Sequence, residues 1–206
     1  MTILLIVNCS LKAAPNEDLC KAVGRLSEYK VIPFRNIRSE DKLDKDVDAV
    51  VLSGSAARIV KASHRKLFQT TIDRVKTCNA PILGICYGHQ LLCWTFGAKV
   101  GSLCEPVLNR FENVRIVETD SIFEYFINQK ATLAESHYDY VLKESLNNSG
   151  FDLLADSESC EVEAVKHRNK PFYGVQFHPE RIKIKTETQF DGYRVIENFY
   201  SNVVKR

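Results

Sequence analysis

The stretch 80–90 constrains the fold of this chain more than any other. It has the sequence APILGICYGHQ, in which an apolar, strand-like run leads directly into a helix-like segment. Cys86 lies at the junction, with Gly84 two residues before it and Gly88 two residues after it. A sharp turn from strand to helix needs neighbours without a Cβ, because a side chain at either position would crowd the adjoining strand or helix. The pattern therefore predicts a strand, a tight turn with Cys86 at its apex, and a helix.

A cysteine at such an apex is a candidate nucleophile. Its thiol would lie over the free N–H groups of a helix that starts near Tyr87, where the positive end of the helix dipole favours the thiolate. The same turn would aim the Tyr87 N–H at an oxyanion that develops during nucleophilic attack. The alternative is that Cys86 is a buried apolar residue at the end of a core strand, which is the commoner role of an intracellular cysteine.

Strands and helices alternate along the first half of the chain. Apolar runs predict buried strands at 3–7, 30–33, 49–52 and 82–85, and helical spacing of apolar residues predicts helices after Pro15, from a cap at Ser63, and over 88–96. Residues 100–165 carry short alternating segments that predict antiparallel strands, and a final amphipathic helix follows. We therefore expect one α/β domain over residues 1–206, with a mostly parallel central sheet, flanking helices in three layers, and an added antiparallel portion.

This topology predicts where a ligand would bind. Parallel strands joined by right-handed crossovers bind ligands at their carboxyl ends. Cys86 follows one predicted strand, and the small-residue segment that begins with Ser53 and Gly54 follows another. We expect both to lie at the same edge of the sheet.

Composition and charge narrow the classes of partner. The 206 residues are 45% hydrophobic and 26% charged, which suits one well-packed domain. A net charge of +2 gives no field strong enough to predict a nucleic acid or an anionic membrane as partner. With no apolar run of membrane-spanning length and no signal-peptide pattern, we expect a cytoplasmic protein.

The seven cysteines form no Cys-x-x-Cys pair, so neither a disulfide framework nor a metal site is predicted.

A second group of candidate residues lies at 171–180, with the sequence PFYGVQFHPE. An apolar strand ends there at His178, Pro179 stops further strand pairing, and Glu180 follows within reach of the imidazole. A thiol nucleophile needs a base, and the base needs a group that fixes its tautomer. The alternative is a histidine at a strand end beside an exposed glutamate, but the cysteine at the predicted turn favours the catalytic interpretation.

Together, the motifs GICYGHQ at 84–90 and GVQFHPE at 174–180 resemble those of the class I glutamine amidotransferases, which carry a Cys-His-Glu triad in this chain order. Within that class, SHYDYV at 136–141 and SCEVEAVKH at 159–167 are most similar to the glutaminase subunits and domains of GMP synthases. The resemblance implies a flavodoxin-like sheet. It also implies that Cys86 attacks the side-chain amide of glutamine to give a thioester, that His178 transfers the proton to the departing ammonia, and that Glu180 orients the imidazole.

The resemblance also implies two sets of binding residues. The oxyanion hole would be formed by the Tyr87 N–H and a backbone N–H of the Gly54-Ser55 turn. Glutamine would be held by the side chains of Gln90, Ser136, His137 and Asp139. Of these, Asp139 would bind its α-ammonium group. For His137, as for His89, the alternative is a packing or surface residue.

The chain departs from the family pattern at three places. Gly54-Ser55-Ala56 stands where the family usually has Gly-Gly-Pro, and we expect this loss to loosen the oxyanion loop. The first loop, 8–11, lacks a Gly-Gln pair, and residues 181–189 are unusually basic and polar. A divergent partner or product is therefore left open.

The functional prediction is a glutaminase subunit without cofactor. The sequence contains neither a Ser-Gly-Gly-x-Asp-Ser pyrophosphatase loop nor a Gly-x-x-x-x-Gly-Lys-Ser/Thr phosphate loop. Ammonia from L-glutamine would therefore pass to a separate ATP-dependent synthetase, expected to be the ATP-pyrophosphatase subunit of GMP synthase, which aminates XMP. A free-standing γ-glutamyl hydrolase or peptidase is the alternative enzyme. A non-catalytic regulatory subunit is a third hypothesis, which the intact triad disfavours.

Overall fold

The computed structural model describes residues 2–12, 14–126 and 129–205. Its strands are β1 Ile3–Asn8, β2 Glu28–Pro33, β3 Ala49–Leu52, β4 Ile82–Ile85, β5 Val100–Ile116, β6 Lys130–Val141, β7 Phe151–Asp156, β8 Ala164–His167, β9 Phe172–Val175, β10 Lys183–Ile184 and β11 Glu187–Thr188. Its helices are α1 Glu17–Gly24, α2 Ala62–Leu67, α3 Gln69–Thr77, α4 Tyr87–Thr95, α5 Leu146–Ser149 and α6 Asp191–Phe199. Within these ranges, no helix is both long enough and apolar enough to cross a membrane.

Nine of the strands form one sheet in the order β2-β1-β3-β4-β9-β8-β7-β5-β6. The first five in this order pair in parallel. From β9 onward the pairing is antiparallel, and β10 and β11 form a separate small hairpin. The expected α/β fold, with a parallel sheet extended by an antiparallel portion, is confirmed.

The central parallel strands are buried on both faces. Along β3, Val50 and Leu52 belong to one hydrophobic cluster, whereas Val51 belongs to the other. This alternation follows from the two-residue period of a strand. The first cluster is completed by apolar residues of α3 and α4, and the second by apolar residues of α1 and α6. The sheet is thus the middle of three layers, as expected.

Two local predictions were wrong in extent. The helix expected from a cap at Ser63 begins at Ala62 and is divided into α2 and α3 around Phe68. Phe68 is completely buried and stacks on Phe34 with 3.9 Å between ring centroids, so tertiary packing outweighs local helix propensity there. The antiparallel strands β5 and β6 are also longer than predicted, because register shifts between Ser102 and Arg110 interrupt the alternation on which the prediction depended.

The carboxyl ends of β1, β3, β4 and β9 meet at one edge of the sheet. The segments that leave this edge are 9–12, 53–58, the turn at Cys86, and 176–180. Residues of β6 form the remaining wall of the cavity between them. The fold thus brings the candidate residues together in space, although the first and last of them, Gly54 and Glu180, lie 126 positions apart along the chain.

Candidate active site

Cys86 lies at the apex of a strained turn between β4 and α4. Its φ of 50° and ψ of −105° are unusual for a residue with a side chain and cost on the order of 1–3 kcal/mol. A Cβ on Gly84 would lie 2.6 Å from the Gly88 carbonyl oxygen, and a Cβ on Gly88 would lie 2.2 Å from the Leu52 carbonyl oxygen. The prediction that both flanking positions must lack a side chain is therefore confirmed.

The Cys86 thiol lies at the wall of a cavity of about 520 Å³. Its backbone N–H donates to the Val175 carbonyl over 2.8 Å, and Sγ lies 3.8 Å from the Ser136 carbonyl oxygen. Tyr87 is the first residue of α4, so its N–H has no acceptor within the helix. Deep burial raises the thiol pKa of two other cysteines, to about 12 for Cys9 and about 11 for Cys78, and neither of them lines this cavity.

His178 and Glu180 form a buried hydrogen-bonded pair. Nδ1 of His178 lies 2.8 Å from Oε1 of Glu180. Burial alone would lower the pKa of His178, but the charge of Glu180, the neighbouring Cys86 and the hydrogen bonds to both outweigh it and raise that pKa to about 10. For Glu180, burial is the largest single influence and raises the carboxyl pKa, but the charge and hydrogen bond of His178, a backbone hydrogen bond and the charge of Arg181 together bring it below its ordinary value. At neutral pH the pair is therefore an imidazolium and a carboxylate.

Asn16 holds Glu180 from the other side and was not identified in the sequence. Its Nδ2 donates to Oε1 of Glu180 over 2.9 Å. Its Oδ1 accepts from the N–H groups of Asp18 and Leu19, so Asn16 also caps α1. The acidic residues that follow Asn16 are typical of a helix start, but nothing local indicates a contact with a residue 164 positions away.

The loop after β3 passes beside the triad residues. A Cβ built on Gly54 would lie 2.9 Å from Cε1 of His178 and 3.6 Å from Cβ of Cys86. Oγ of Ser55 accepts from the Ala57 N–H over 3.0 Å. Oγ of Ser53 donates to the Gly54 carbonyl over 3.1 Å. These hydrogen bonds constrain the loop backbone locally. The loosening expected from the missing proline stays a prediction.

The tenth residue proposed from the sequence, Glu180, does not line the cavity but is hydrogen-bonded to His178. The other nine line it: Gly54, Ser55, Cys86, Tyr87, Gln90, Ser136, His137, Asp139 and His178. Two of the four glutamine-binding candidates support the Asp139 backbone. Gln90 Nε2 donates to the Asp139 carbonyl over 2.7 Å, and His137 Nδ1 donates to the same oxygen over 3.1 Å. Burial lowers the pKa of His137 to about 4, so it is neutral at pH 7.

His89 matches the packing alternative. It is completely buried on α4, and Nδ1 lies 3.7 Å from Sγ of Cys93. A Cβ on Gly174 would lie 2.3 Å from His89 Nδ1, so this glycine makes room for the ring. Burial lowers the pKa of His89 to about 3. The imidazole is therefore a neutral core side chain.

The carboxylate of Asp139 is paired with Arg58, a residue that the sequence did not indicate. Oδ1 accepts from Nε of Arg58 over 2.9 Å, from Nη2 of the same guanidinium, and from Oγ of Ser102 over 3.0 Å. The other oxygen, Oδ2, is buried and has no hydrogen-bond partner among the described residues. Arg58 and Asp139 both line the cavity with Cys86.

A cluster of buried ionisable groups lies behind this wall. Oε2 of Glu135 is 3.5 Å from Nε2 of His137, and Oε1 of Glu163 accepts from Oγ of Ser157 over 2.7 Å. His137, Cys160 and Glu163 offer three donor atoms within 4.8 Å of one another, a spacing that could hold a metal ion. Burial raises the pKa of the Cys160 thiol well above its ordinary value.

These carboxyl groups predict a pH-dependent stability. Burial raises the pKa of both Glu135 and Glu163, the latter to about 7, although Ser157 and Glu135 partly oppose the shift of Glu163. The folded chain therefore holds these protons to higher pH than the unfolded chain, and its free energy of unfolding should fall as pH rises from about 4.5 to about 7. The charges of Glu112 and Asp156 act in the same direction. We expect Glu163→Gln to remove a large part of this fall.

Urea denaturation at pH 5, 6, 7 and 8 checks this prediction. The exposed Glu158, changed to Gln, is the matched control, because it removes a carboxyl group without removing a buried one. Comparing the two variants cancels the contribution of His178, whose raised pKa also reduces stability as pH rises above about 6.5. If the free energy of unfolding depended on pH equally in the Glu163→Gln and Glu158→Gln proteins, the assignment of the raised pKa to Glu163 would be wrong.

Comparison with known proteins identifies the family. The model for glutamine amidotransferase class-I matches residues 12–200. A glutamine-hydrolyzing GMP synthase subunit from Methanococcus aeolicus is 35% identical over 170 residues, covering 82% of this chain and 81% of the relative. The corresponding subunit from Methanothermobacter thermautotrophicus is 32% identical over 182 residues, covering 86% and 89%.

Solved structures agree with this result. The crystal structure of a Thermoplasma acidophilum protein, assigned to the same GMP synthase subunit, superposes with a TM-score of 0.80 at 27% identity and covers 100% of this chain and 98% of the other. A glutamine amidotransferase from Thermotoga maritima, 17% identical, shares the fold with a TM-score of 0.68, covering 98% of this chain and 81% of the other. On the family match and the identity to these relatives, this chain belongs to the class-I glutamine amidotransferases.

Proposed function

We propose that this chain is a glutaminase subunit that hydrolyses L-glutamine and delivers the ammonia to a separate ATP-dependent synthetase, which aminates XMP to GMP. The observation that carries the glutaminase step is the cavity in which Cys86, at its strained turn, lies beside the His178–Glu180 pair. The names of the relatives, which are subunits of glutamine-hydrolyzing GMP synthases, support the choice of acceptor and imply a partner protein. The cytoplasmic location expected from the sequence stays a prediction.

In the first half-reaction, Cys86 reacts as the thiolate: its Sγ attacks the side-chain carbonyl carbon of glutamine, and the carbonyl electrons move onto the oxygen. The Tyr87 N–H and an N–H of the Gly54-Ser55 turn donate to this oxyanion, and each such donor contributes about 3 kcal/mol to the transition state. His178, an imidazolium at neutral pH, gives its proton to the amide nitrogen. The C–N bond then breaks, ammonia leaves, and a thioester on Cys86 remains.

In the second half-reaction, water attacks the thioester carbon. His178, now neutral, accepts a proton from this water, and collapse of the tetrahedral intermediate breaks the C–S bond. Glutamate leaves, and Cys86 and His178 return to their starting state. Throughout, Glu180 accepts the Nδ1–H of His178 and keeps Nε2 available for proton transfer, while Asn16 holds the carboxylate in place.

The dependence of glutaminase activity on a synthetase tests the proposal. An amidotransferase that released ammonia without an acceptor would waste glutamine, so we expect weak glutaminase activity from the chain alone. An XMP-aminating synthetase loaded with ATP and XMP should raise it at least about tenfold, which needs roughly 1.4 kcal/mol of preferential binding to the productive state. The measurement is ammonia release from L-glutamine by the purified chain, with and without the synthetase and its substrates.

Controls separate the two enzyme functions. Adding the synthetase without ATP and XMP shows whether docking alone is enough to raise the glutaminase activity. High activity of the chain alone, left unchanged by the loaded synthetase, would contradict the proposal of a partner-dependent glutaminase and favour a free-standing γ-glutamyl hydrolase. γ-Glutamyl dipeptides would then be tested as substrates.

A further inference from the structure

We propose that Arg58 recognises the α-carboxylate of the substrate, and that Arg58 and Asp139 together select for a free α-amino acid head group. The inference rests on the proposed glutaminase function and adds a specificity-determining residue to it. The observations are the hydrogen bonds of Asp139, its unpaired second oxygen, and the placement of both side chains at the cavity that holds Cys86.

The carboxylate of Asp139 is bound through one oxygen only. All of the donors that reach it in the described part of the chain converge on Oδ1: two from the Arg58 guanidinium and one from Ser102. An Arg–carboxylate pair commonly uses both oxygens in a bidentate arrangement. Here Oδ2 is left buried and without a partner among the described residues, in a side chain only 2% exposed. A buried carboxylate oxygen without a donor is costly, and a substrate ammonium group would satisfy it.

Arg58 presents a positive charge beside this carboxylate. Its side chain is 29% exposed, and its hydrogen bonds to Asp139 and Ser102 use Nε and Nη2. Its Cζ lies 5.3 Å from the centre of the Tyr138 ring, which holds the guanidinium plane. Arg58 thus places a cation directly beside the Asp139 anion on the cavity wall, which Lys12 and Arg181 also line. A free α-amino acid also carries one of each, so an α-carboxylate on Arg58 and an α-ammonium on Asp139 Oδ2 would match charge for charge.

Both members of the pair are held in place by the surrounding backbone. Arg58 lies shortly after Gly54 in the chain, and its backbone N–H donates to Nδ1 of His64 over 2.8 Å. The guanidinium therefore projects from the segment that continues the oxyanion loop. The backbone at Asp139 is fixed separately by Gln90 and His137. Because the protein's own groups hold both residues, the entropic cost of ordering them on binding is reduced.

The experiment measures binding and discrimination in the same proteins. Arg58→Gln removes the charge, and Arg58→Lys retains it without the planar fork. Isothermal titration on the Cys86→Ala background would compare L-glutamine with its α-amide, in which the α-carboxylate is replaced by an uncharged carboxamide. We expect Arg58→Gln to weaken binding of L-glutamine roughly 10- to 100-fold and to leave binding of the α-amide nearly unchanged. In the active protein with its synthetase, KM should rise while kcat changes little.

Arg25→Lys is the matched control, because this arginine also lies over a tyrosine ring, with Cζ 4.9 Å from the centre of Tyr193. Thermal melting of each variant reports the structural contribution of the Arg58–Asp139 pair. If Arg58→Gln and Arg58→Lys lower the melting temperature but keep the preference for L-glutamine over its α-amide, the pair is purely structural and the inference is wrong. Tighter L-glutamine binding by Arg58→Gln would also overturn it, because Arg58 would then obstruct the site.

Failure of this inference is distinguishable from failure of the proposed function. If the Cys86→Ala protein with Arg58 intact fails to bind L-glutamine while its partner synthetase is present, the proposed function fails. If that protein binds L-glutamine and the two Arg58 variants bind it equally well, only the role of Arg58 is refuted.

Discussion

Cys86→Ala should abolish glutamine hydrolysis, with a loss of at least about 10⁴-fold in kcat, because no other described group that lines the cavity can form the thioester. His178→Ala should come close to the same loss, since both half-reactions pass a proton through its imidazole. Glu180→Gln should leave more activity. It removes the charge that raises the pKa of His178 but retains a group that can occupy the same position.

Ammonia release in the presence of the synthetase measures all three effects, and circular dichroism verifies that each variant is folded. Cys104→Ala is the matched control, because it removes an exposed cysteine. Substantial glutamine turnover by Cys86→Ala would rule out the nucleophile. If Glu180→Gln were as damaging as Cys86→Ala, Glu180 would do more than orient His178.

The turn at Cys86 could be predicted from sequence because its cause is local. β3 and β4 have the predicted bounds, since short apolar runs buried on both faces are limited by polar or small residues at their ends. The two glycines around Cys86 are needed for reasons that hold in any such turn, namely contact with the next helical turn and with the neighbouring strand. The order of strands then places the other carboxyl-terminal loops beside Cys86.

The contacts of Arg58 and Asn16 could not be predicted in the same way. Arg58 meets Asp139 across 81 residues, and Asn16 meets Glu180 across 164. No local pattern encodes such a pair, because it depends on how loops from different strands converge. Each residue also has an ordinary local explanation: Asn16 precedes an acidic helix start, and Arg58 follows a small-residue loop.

The hydrogen bonds from Gln90 and His137 to the Asp139 backbone could not be predicted from the sequence either. The resemblance implied that Gln90 and His137 hold glutamine, whereas the structure shows both side chains bonded to the Asp139 carbonyl. A role in shaping the cavity wall is compatible with their burial. Their contact with glutamine stays a prediction.

Gly54→Ala should cause the second large loss of activity, on the order of 10²-fold in kcat, without unfolding the chain. The added Cβ would lie 2.9 Å from Cε1 of His178, closer than such contacts are tolerated, and 3.6 Å from Cβ of Cys86. Either the imidazole or the loop must move. Misplacing a reacting group by about 1 Å can lower the rate on the order of 10²-fold. Because the nearest obstacle is a side chain rather than backbone, we expect the cost to fall on catalysis more than on stability.

Gly101→Ala is a suitable control for this substitution, since its Cβ would meet Cδ2 of Leu142 at 3.0 Å, at a flexible side chain outside the cavity. Thermal melting and ammonia release would be measured for both variants with the synthetase present. A Gly54→Ala protein with unchanged kcat would show that the loop can yield without disturbing His178. The oxyanion donor would then have to be sought elsewhere in the loop, because a backbone N–H that shifts freely with Gly54 could not be held in position for catalysis.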